Sequence, residues 1–393
     1  MLFFATVFVV EGIGQGRVGI VFQPISFYLK ETGWTPLDVT AYLALLNFPW
    51  VIKPVFGLVS DFVPLFGYRR KSYLVIASLV AAVSFGWISR LSDPAEIAPL
   101  FLLTAYAMAT ASTLCGALLA ENGPKYGLSN AFVSQQWLGF YIAVMASSFA
   151  GGILIQQLGA QDAFQASAAI AAIAPVAMLL ATLYLLDEEK TPINRTELLR
   201  TLRSAIAALT SRRLYLAAAF LFLYAFAPGF GTPLYYHMTD GLRFSQSYIG
   251  ILGSIASAGW IAGALIHRFF LQAMSTQRQL YLSIVVGTLS AASFLLLSGE
   301  VSAAIVNFAN GIALMIATIS MLTLAADFCP SRAEGFAFAG LMSVMNLADV
   351  FSANVGAFLY DKVFDSNMAP LIIVSAASTA VCVVLIPPLR LPR

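Results

Sequence analysis

The chain has 393 residues, of which 60% are hydrophobic and 10% charged, with a formal net charge of +2. Soluble domains carry about 25% charged residues, so this composition excludes a soluble enzyme or a nucleic-acid binder and describes a protein that sits almost wholly in a lipid bilayer. The cysteines Cys115, Cys329 and Cys382 are far apart in apolar surroundings and suggest neither a metal site nor a disulfide framework.

A helix needs about 20 apolar residues to cross a bilayer. Stretches of that kind are expected near 2–28, 37–60, 72–91, 97–119, 131–156, 164–186, 214–237, 246–267, 279–298, 301–326, 335–359 and 367–386. The first is longer than a signal-peptide core and has no basic leader, so it reads as a spanning helix. Its glycines (Gly12, Gly14, Gly16 and Gly19) make it easy to break or to pack closely. No strand precedes them, so they are not a nucleotide loop. Thr35, followed by Pro36 and then Asp38, has the pattern of a helix N-cap before the second stretch. The ninth and tenth stretches are parted only by Gly299-Glu300.

With both termini in the cytoplasm, fifteen of the 21 Lys and Arg fall in cytoplasmic loops and ends. Four fall outside (Lys30, Arg90, Arg243 and Lys362), while Arg17 and Lys53 lie within spans. That bias satisfies the positive-inside rule. The longest connection, Asp187 to Arg213, divides the stretches six and six. Within it Leu198, Leu199, Leu202, Ile206 and Leu209 form an apolar stripe at helical spacing. The stripe fits either an amphipathic helix on the inner leaflet or a linker helix packed beneath the bundle. Asn194-Arg195-Thr196 has the form of a glycosylation sequon, void in a cytoplasmic location. The expected organisation is therefore 1–186 and 214–393 as six-helix bundles joined by 187–213.

The halves echo one another. FYLKETGWTPL, from Phe27, matches YYHMTDGLRFSQS, from Tyr235, in its aromatics, its glycine (Gly33, Gly241) and its helix-start residue (Thr35, Ser245). Gly57-x-x-x-Asp61 has a degenerate echo in Gly263-x-x-x-His267, and Gly151 in Gly356, all at an offset near 205–208. A duplicated six-helix unit follows, an arrangement that puts a transporter's substrate site near midplane.

Gly57-Leu-Val-Ser-Asp61 followed by Gly67-Tyr-Arg69-Arg70-Lys71 resembles the signature loop of the major facilitator superfamily, expanded here by Phe62 to Phe66. Gly57 would let a neighbouring helix approach, and Asp61 would accept from the basic cluster and sit near a helix N-terminus. The resemblance implies a cytoplasmic gate made by Gly57, Asp61, Arg69 and Arg70. The arginines serve equally as topology determinants. The fuller string, PWVIKP, then G-L-x-S-D, then VPLFGYRRKSYL, resembles the folate-biopterin transporter family of that superfamily. So do Asp327-Phe-Cys-Pro330 and Phe336 to Leu359. The implied fold is an all-α membrane protein, with twelve transmembrane helices in two pseudo-symmetric six-helix bundles. The implied function is secondary active transport of a pterin- or folate-like organic anion. One departure stands out. Where the family carries aspartates in its fourth span, this chain has Ser112 and Gly116, although Glu121 is kept.

An ionisable side chain inside a span costs about 2.5–3.5 kcal/mol or more, so each is a functional candidate. Glu11 and Arg17 are six residues apart, too far for one helical face, and each is expected to pair with another helix. Gln15 and Arg17 are expected to face the cavity. Lys53 lies about two turns, roughly 12 Å, from Asp61, between the kink-forming Pro49 and Pro54. It either snorkels to the cytoplasmic surface or meets an anionic ligand. Asp349, near Asn346 and Asn354, is the leading proton-carrying carboxylate, with a salt bridge to Arg17 or Lys53 as the alternative. Gln136, Tyr141 and Asn310 complete the candidate set, though polar side chains also hold membrane helices together.

The expected partners are a small organic anion, protons as coupling ion and the bilayer, in a plasma or inner membrane or an organellar envelope. A monomer without cofactor or metal is expected. Two other readings stand beside this one. The same fold would carry an amino acid, a sugar derivative or a peptide fragment, or the chain would be a non-transporting membrane assembly factor. Midplane charges argue against the last. The absence of a nucleophile–base set argues against an enzyme.

Overall fold

Thr35 opens a helix as its neighbours predict. Its hydroxyl donates to Asp38 Oδ2 at 2.9 Å, and the Asp38 N–H donates back to Thr35 Oγ1 at 3.3 Å. This reciprocal cap satisfies donors that a helix start leaves open. The computed structural model describes residues 2–15, 18–126, 129–190, 212–329 and 334–389. Arg17, the linker stripe over 198–209 and Asn194 lie outside the described residues.

The described helices, in chain order, are α1 (Leu2–Gly14), α2 (Phe22–Glu31), α3 (Pro36–Val51), α4 (Lys53–Phe62), α5 (Lys71–Ile88), α6 (Pro94–Tyr126), α7 (Ser129–Leu158) and α8 (Ala160–Leu185). The second half holds α9 (Arg212–Ala225), α10 (Gly231–Tyr236), α11 (Gln246–Ile266), α12 (Thr276–Ser293), α13 (Glu300–Phe328), α14 (Glu334–Phe358) and α15 (Met368–Val381). Among the described residues ten helices are long and apolar enough to cross a membrane, with α3 and α4 together counting as one. The protein is an integral, multi-pass membrane protein.

The expected first and seventh spans are each divided into shorter helices, and neither is among the ten. The first breaks after Gly14, in its glycine-rich run, where Ile20 N–H donates to Ile13 O at 3.1 Å and Gly19 N–H to Gln15 O. The seventh breaks between Ala225 and Gly231. There Gly229 N–H donates to Ser352 O at 2.9 Å, and the Ser352 hydroxyl donates to Ala227 O. The second span breaks at Ile52, between the two prolines. Three short π-helical turns, His237–Gly241, His267–Leu271 and Leu359–Val363, extend α10, α11 and α14. Periodicity alone did not forecast them.

The chain forms two compact units. One comprises Met1–Gly33, Leu45–Leu198 and Gln246–Ser254, and the other Trp34–Ala44, Leu199–Ser245 and Ile255–Arg393. In the first, α5 packs on α6 and α8, and α1 on α7. In the second, α12 packs on α13 and α15, and α9 on α14. These are equivalent pairs, as a duplicated unit requires. Phe4, Phe8, Leu74, Leu114 and Met178 belong to the core of the first unit, and Phe220, Leu280, Ile284, Met321 and Leu324 to that of the second. Each unit also takes a short segment from the other half of the chain. In the first, Gln23 Nε2 donates to Gln246 O at 2.9 Å. In the second, Leu37 N–H donates to Asp361 Oδ2 at 2.9 Å.

The paired glycines explain part of the repeat. Gly151 faces Ile20 and Pro24 beside the first broken span, and Gly356 faces Gly229 in the second. A Cβ on Gly356 would overlap the Gly229 carbonyl, a backbone atom that cannot swing aside. A Cβ on Gly86, in α5, would meet nothing within 4 Å. Gly356→Ala is therefore expected to lower the melting temperature of the detergent-purified protein by the equivalent of about 1–3 kcal/mol. Gly86→Ala should leave it unchanged or raise it.

Candidate functional site

The densest polar construction in the first unit lies where α4 turns back into α5. Phe62 to Phe66 is apolar and ends in a tight turn. Tyr68 N–H donates to Leu65 O at 3.0 Å, and Phe66 and Gly67 both have positive φ (55° and 88°). The turn delivers Arg70 to the start of α5 with its guanidinium buried. Nη2 meets Asp61 Oδ1 at 2.5 Å and Glu121 Oε1 at 2.9 Å, and Nη1 donates to the Ser60 hydroxyl. The side chain of Arg70 is 4% exposed, while Asp61 and Glu121 are 37% and 43% exposed. One buried cation thus ties the end of α4 to α6, with its charge shared by two partly solvated carboxylates.

A fourth residue completes this corner. Glu188, just beyond α8, accepts from the backbone N–H groups of Arg69 (3.0 Å), Arg70 (3.0 Å) and Lys71 (2.7 Å). A carboxylate here satisfies the orphan donors of a helix start and complements its dipole. The expectation that Asp61 would sit near a helix N-terminus is corrected. Asp61 lies in the last turn of α4 and pairs with Arg70, and Glu188 takes the N-terminal place at α5. Arg69 joins through its backbone, and its Nε has no partner among the described residues. Gly57 faces Thr113 of α6, and a Cβ there would lie 3.8 Å from Thr113 Cγ2, an ordinary contact, so the close helix approach expected at Gly57 does not require a glycine.

Deeper in the same unit, Glu11 and Gln15 are both buried, 8% and 3% exposed. They are bonded to each other, Gln15 Nε2 donating to Glu11 Oε1 at 2.7 Å. Glu11 was expected to look to another helix, but it finds this partner one turn along its own chain. The α1 face carrying Gly12 lies against Phe140 and Ala143 of α7, and the Ser147 hydroxyl donates to Gly12 O at 3.4 Å. Tyr141 is buried on α7 under a stacked Trp137, with centroids 5.8 Å apart, and Gln136 beside it is half-buried.

Lys53 is the first residue of α4. Its ammonium donates to Ser112 Oγ on α6 at 3.1 Å and lies 5.9 Å from the Trp50 ring. The other candidates belong to the second unit. Asn310 accepts from the Ser290 hydroxyl at 2.9 Å across α12 and α13. Asn346 and Asp349 lie on α14, half-buried and exposed respectively. The equivalent of the Arg70 corner there has different chemistry. His267 Nε2 meets Gln279 Oε1 at 3.2 Å, and Thr276 Oγ1 donates to Asp327 Oδ2 at 2.6 Å. Among the described residues no group of His, Cys, Asp and Glu could hold a metal ion.

Sequence reasoning missed Glu188 and gave no partner to Ser112. The only signal for Glu188 was an acidic run, Asp187-Glu188-Glu189, directly after an apolar stretch.

The family model described as BT1 family matches residues 15–390. A folate-biopterin transporter of Synechocystis sp. is 29% identical over 392 residues, covering 93% of this chain and 77% of that protein. Folate transporter 2 of Plasmodium falciparum is 24% identical over 362 residues, covering 88% of this chain and 78% of its own. Among solved structures, the nucleoside transporter NupG matches with TM-score 0.72 at 16% identity, over 99% of this chain and 98% of that one. The D-xylose-proton symporter matches with TM-score 0.72 at 11% identity, over 98% and 96%. At such identities the likeness shows the fold alone, which is that of the major facilitator transporters.

Two substitutions separate the parts of the Arg70 corner. Glu188→Ala strips the acceptor from three N–H groups and is expected to cost about 1 kcal/mol, the scale of a lost helix cap. Arg70→Met leaves Asp61 and Glu121 without their shared cation and should destabilise more than Glu188→Ala. Thermal melts of both purified variants check the order.

Proposed function

Because the chain belongs to the BT1 family, we propose that it is a secondary active transporter, moving a pterin- or folate-like organic anion by alternating access and driven by protons. The observation that carries this reading is the family match over nearly the whole chain, alongside relatives named as folate-biopterin and folate transporters. The major facilitator fold supports alternating access as the mode of movement.

The residues divide by role. Glu11 is the coupling carboxylate of the first unit. It is buried, and its partner is the neutral amide of Gln15. Asp349 is its counterpart in the second unit. Gln136, Tyr141, Asn310 and Asn346 supply polar and aromatic contacts to the cargo, and Arg17 and Lys53 attract its negative charge. Arg70, Asp61 and Glu121, with Gly57 and Arg69 beside them, form a latch on the cytoplasmic side whose ion pairs differ between the two access states. The organisation is two six-helix bundles, 1–186 and 214–393, with both termini in the cytoplasm, and the carrier acts as a monomer in a plasma or inner membrane.

The neutral Ser112 and Gly116, where the family resemblance places acids, favour a second reading in which the same fold carries another small metabolite.

Uptake of labelled folate and of bare pterin into proteoliposomes, with and without an inward-directed proton gradient, tests the first reading. Gradient-stimulated uptake is expected, and Glu11→Gln and Asp349→Asn should each lower the gradient-dependent part at least about tenfold, the scale of a lost proton-transfer group. Tight reconstitution with no uptake of either compound would overturn the cargo and favour the second reading.

A further inference from the structure

α7 carries two stripes of side chains at the same helical spacing, one residue out of step. Leu138, Ile142 and Phe149 are apolar and exposed, the surface a spanning helix offers to lipid. Trp137, Tyr141, Ser148 and Gly152 form the other stripe, about 100° round the helix. At its far end this second stripe is covered by protein. A Cβ on Gly152 would lie 2.9 Å from Gly250 Cα, and a Cβ on Gly253 would lie 3.0 Å from the Ser148 side chain. The Ser254 hydroxyl donates to Met145 O at 2.8 Å. These contacts come from the first turns of α11, which belong to the same unit as α7. The stripe is therefore turned into the molecule, away from the lipid-type face. Trp137 lies on it about three turns nearer the start of α7 than Ser148.

Trp137 is held as a shelf. Tyr141, buried and one turn along, backs one face of the indole, with the ring planes 19° apart and the centroids 5.8 Å apart. Phe140 stands edge-on to both rings, 6.3 Å from Trp137 and 5.3 Å from Tyr141. Offset stacking and edge contacts of this kind orient a ring without using its hydrogen-bonding groups. The indole is nevertheless 37% exposed, and among the described residues its N–H has no acceptor. An acyl chain would leave that donor unsatisfied. A flat, backed surface with a polar tip suits a planar ring that brings its own polar rim. A heteroaromatic ring stacks on the open face, and its nitrogens and carbonyls, or water held by them, supply acceptors beside the N–H.

We propose that Trp137, backed by Tyr141 and Phe140, is the stacking subsite for the planar heteroaromatic ring of the cargo. The shelf recognises the ring system and is indifferent to the charged groups attached to it. This rests on the transporter reading above and adds which part of the cargo the first unit grips, and with which side chain.

The test is ligand binding to the purified full chain, read as a dissociation constant by calorimetry and as the static part of tryptophan quenching, which needs ring-to-ring contact. The probes are bare pterin, folate, a purine nucleoside as a second planar heteroaromatic, and p-aminobenzoylglutamate, which lacks the fused ring. Trp137→Leu keeps apolar bulk and removes the shelf. It is expected to weaken pterin and folate at least about fivefold, the scale of one stacked ring, and to leave p-aminobenzoylglutamate within about twofold. Trp137→Phe should keep most of the affinity and lose most of the static quenching, a signal that a purely structural tryptophan would not give. Melting temperatures without ligand identify a variant that fails to fold, and where Trp137→Leu does so, Trp137→Phe carries the test. Wild-type affinity for pterin and folate in folded Trp137→Leu would overturn the shelf, as would undiminished static quenching in Trp137→Phe. A wild-type protein that binds neither pterin, folate nor the nucleoside would overturn it too. Proteoliposome uptake separates the shelf from the cargo. Trp137-dependent binding of the nucleoside, without binding or uptake of folate or pterin, keeps the shelf and removes the cargo. Folate uptake that is unchanged in Trp137→Leu at subsaturating folate does the reverse.

Discussion

In hydrocarbon a backbone N–H or C=O has no water to turn to, and that constraint governs where this chain is helical and where it is not. Most spans answer it with unbroken helix. Three do not, and in each the interruption is repaired by protein. The first span breaks after Gly14, and there the N–H groups of Gly19 and Ile20 find Gln15 O and Ile13 O. The seventh borrows from α14, whose Ser352 accepts from Gly229 through its carbonyl and donates to Ala227 through its hydroxyl. The second closes a short turn at Ile52 between two prolines. Two of these interruptions lie beside candidate residues. Gln15 sits at the first, and Lys53 begins the helix that follows the break in the second span. A broken helix can aim a polar side chain where a continuous one would present only its regular face.

The close approaches that surround these breaks explain the glycines. Gly12 accommodates the backbone of α7, and Gly356 that of the broken seventh span. Small residues bring backbones together in membranes because packing, rather than the hydrophobic effect, must drive association there. Because the same pairs of helices pack in each unit, the glycine positions recur near one offset while the polar residues around them are freer to change. The Arg70 corner shows this freedom. Asp61, Arg70 and Glu121 are bound by charge in the first unit, whereas the second has a His267–Gln279 contact and a Thr276–Asp327 hydrogen bond.

Much of this was legible in the sequence because it is local or periodic. Span lengths follow from bilayer thickness. The Thr35 cap, the glycine-rich break and the proline-bracketed kink each depend on residues within a few positions of one another. The candidate site was legible in its residue types and less so in its pairings. Glu188 is over a hundred positions from the amides it caps, and nothing in periodicity relates the end of one span to the start of another. Asp61 was expected both to accept from the basic cluster, as it does from Arg70, and to sit at a helix start, the place Glu188 holds, since a carboxylate beside a basic loop looks the same in sequence whether it meets backbone or guanidinium. Glu11 was referred to another helix because Arg17, six residues on, lies off its helical face, yet a neutral glutamine one turn away bonds to it. Hydrogen bonding to an amide leaves no charge pattern to read.

Ser112 shows how a departure gains meaning from geometry. In the sequence it is a missing acid, which signals only a loss. Across from Lys53 it is a hydroxyl that accepts one hydrogen bond and keeps one to give. An aspartate at that position would bring its own negative charge to the lysine and answer it from within the protein. A serine orients the ammonium through one neutral hydrogen bond, so α4 and α6 are tied together here without a carboxylate from α6 at that position. In the low dielectric of a span, where a hydrogen bond has no water to compete with it, that tie holds the helix that begins at Lys53 against its neighbour.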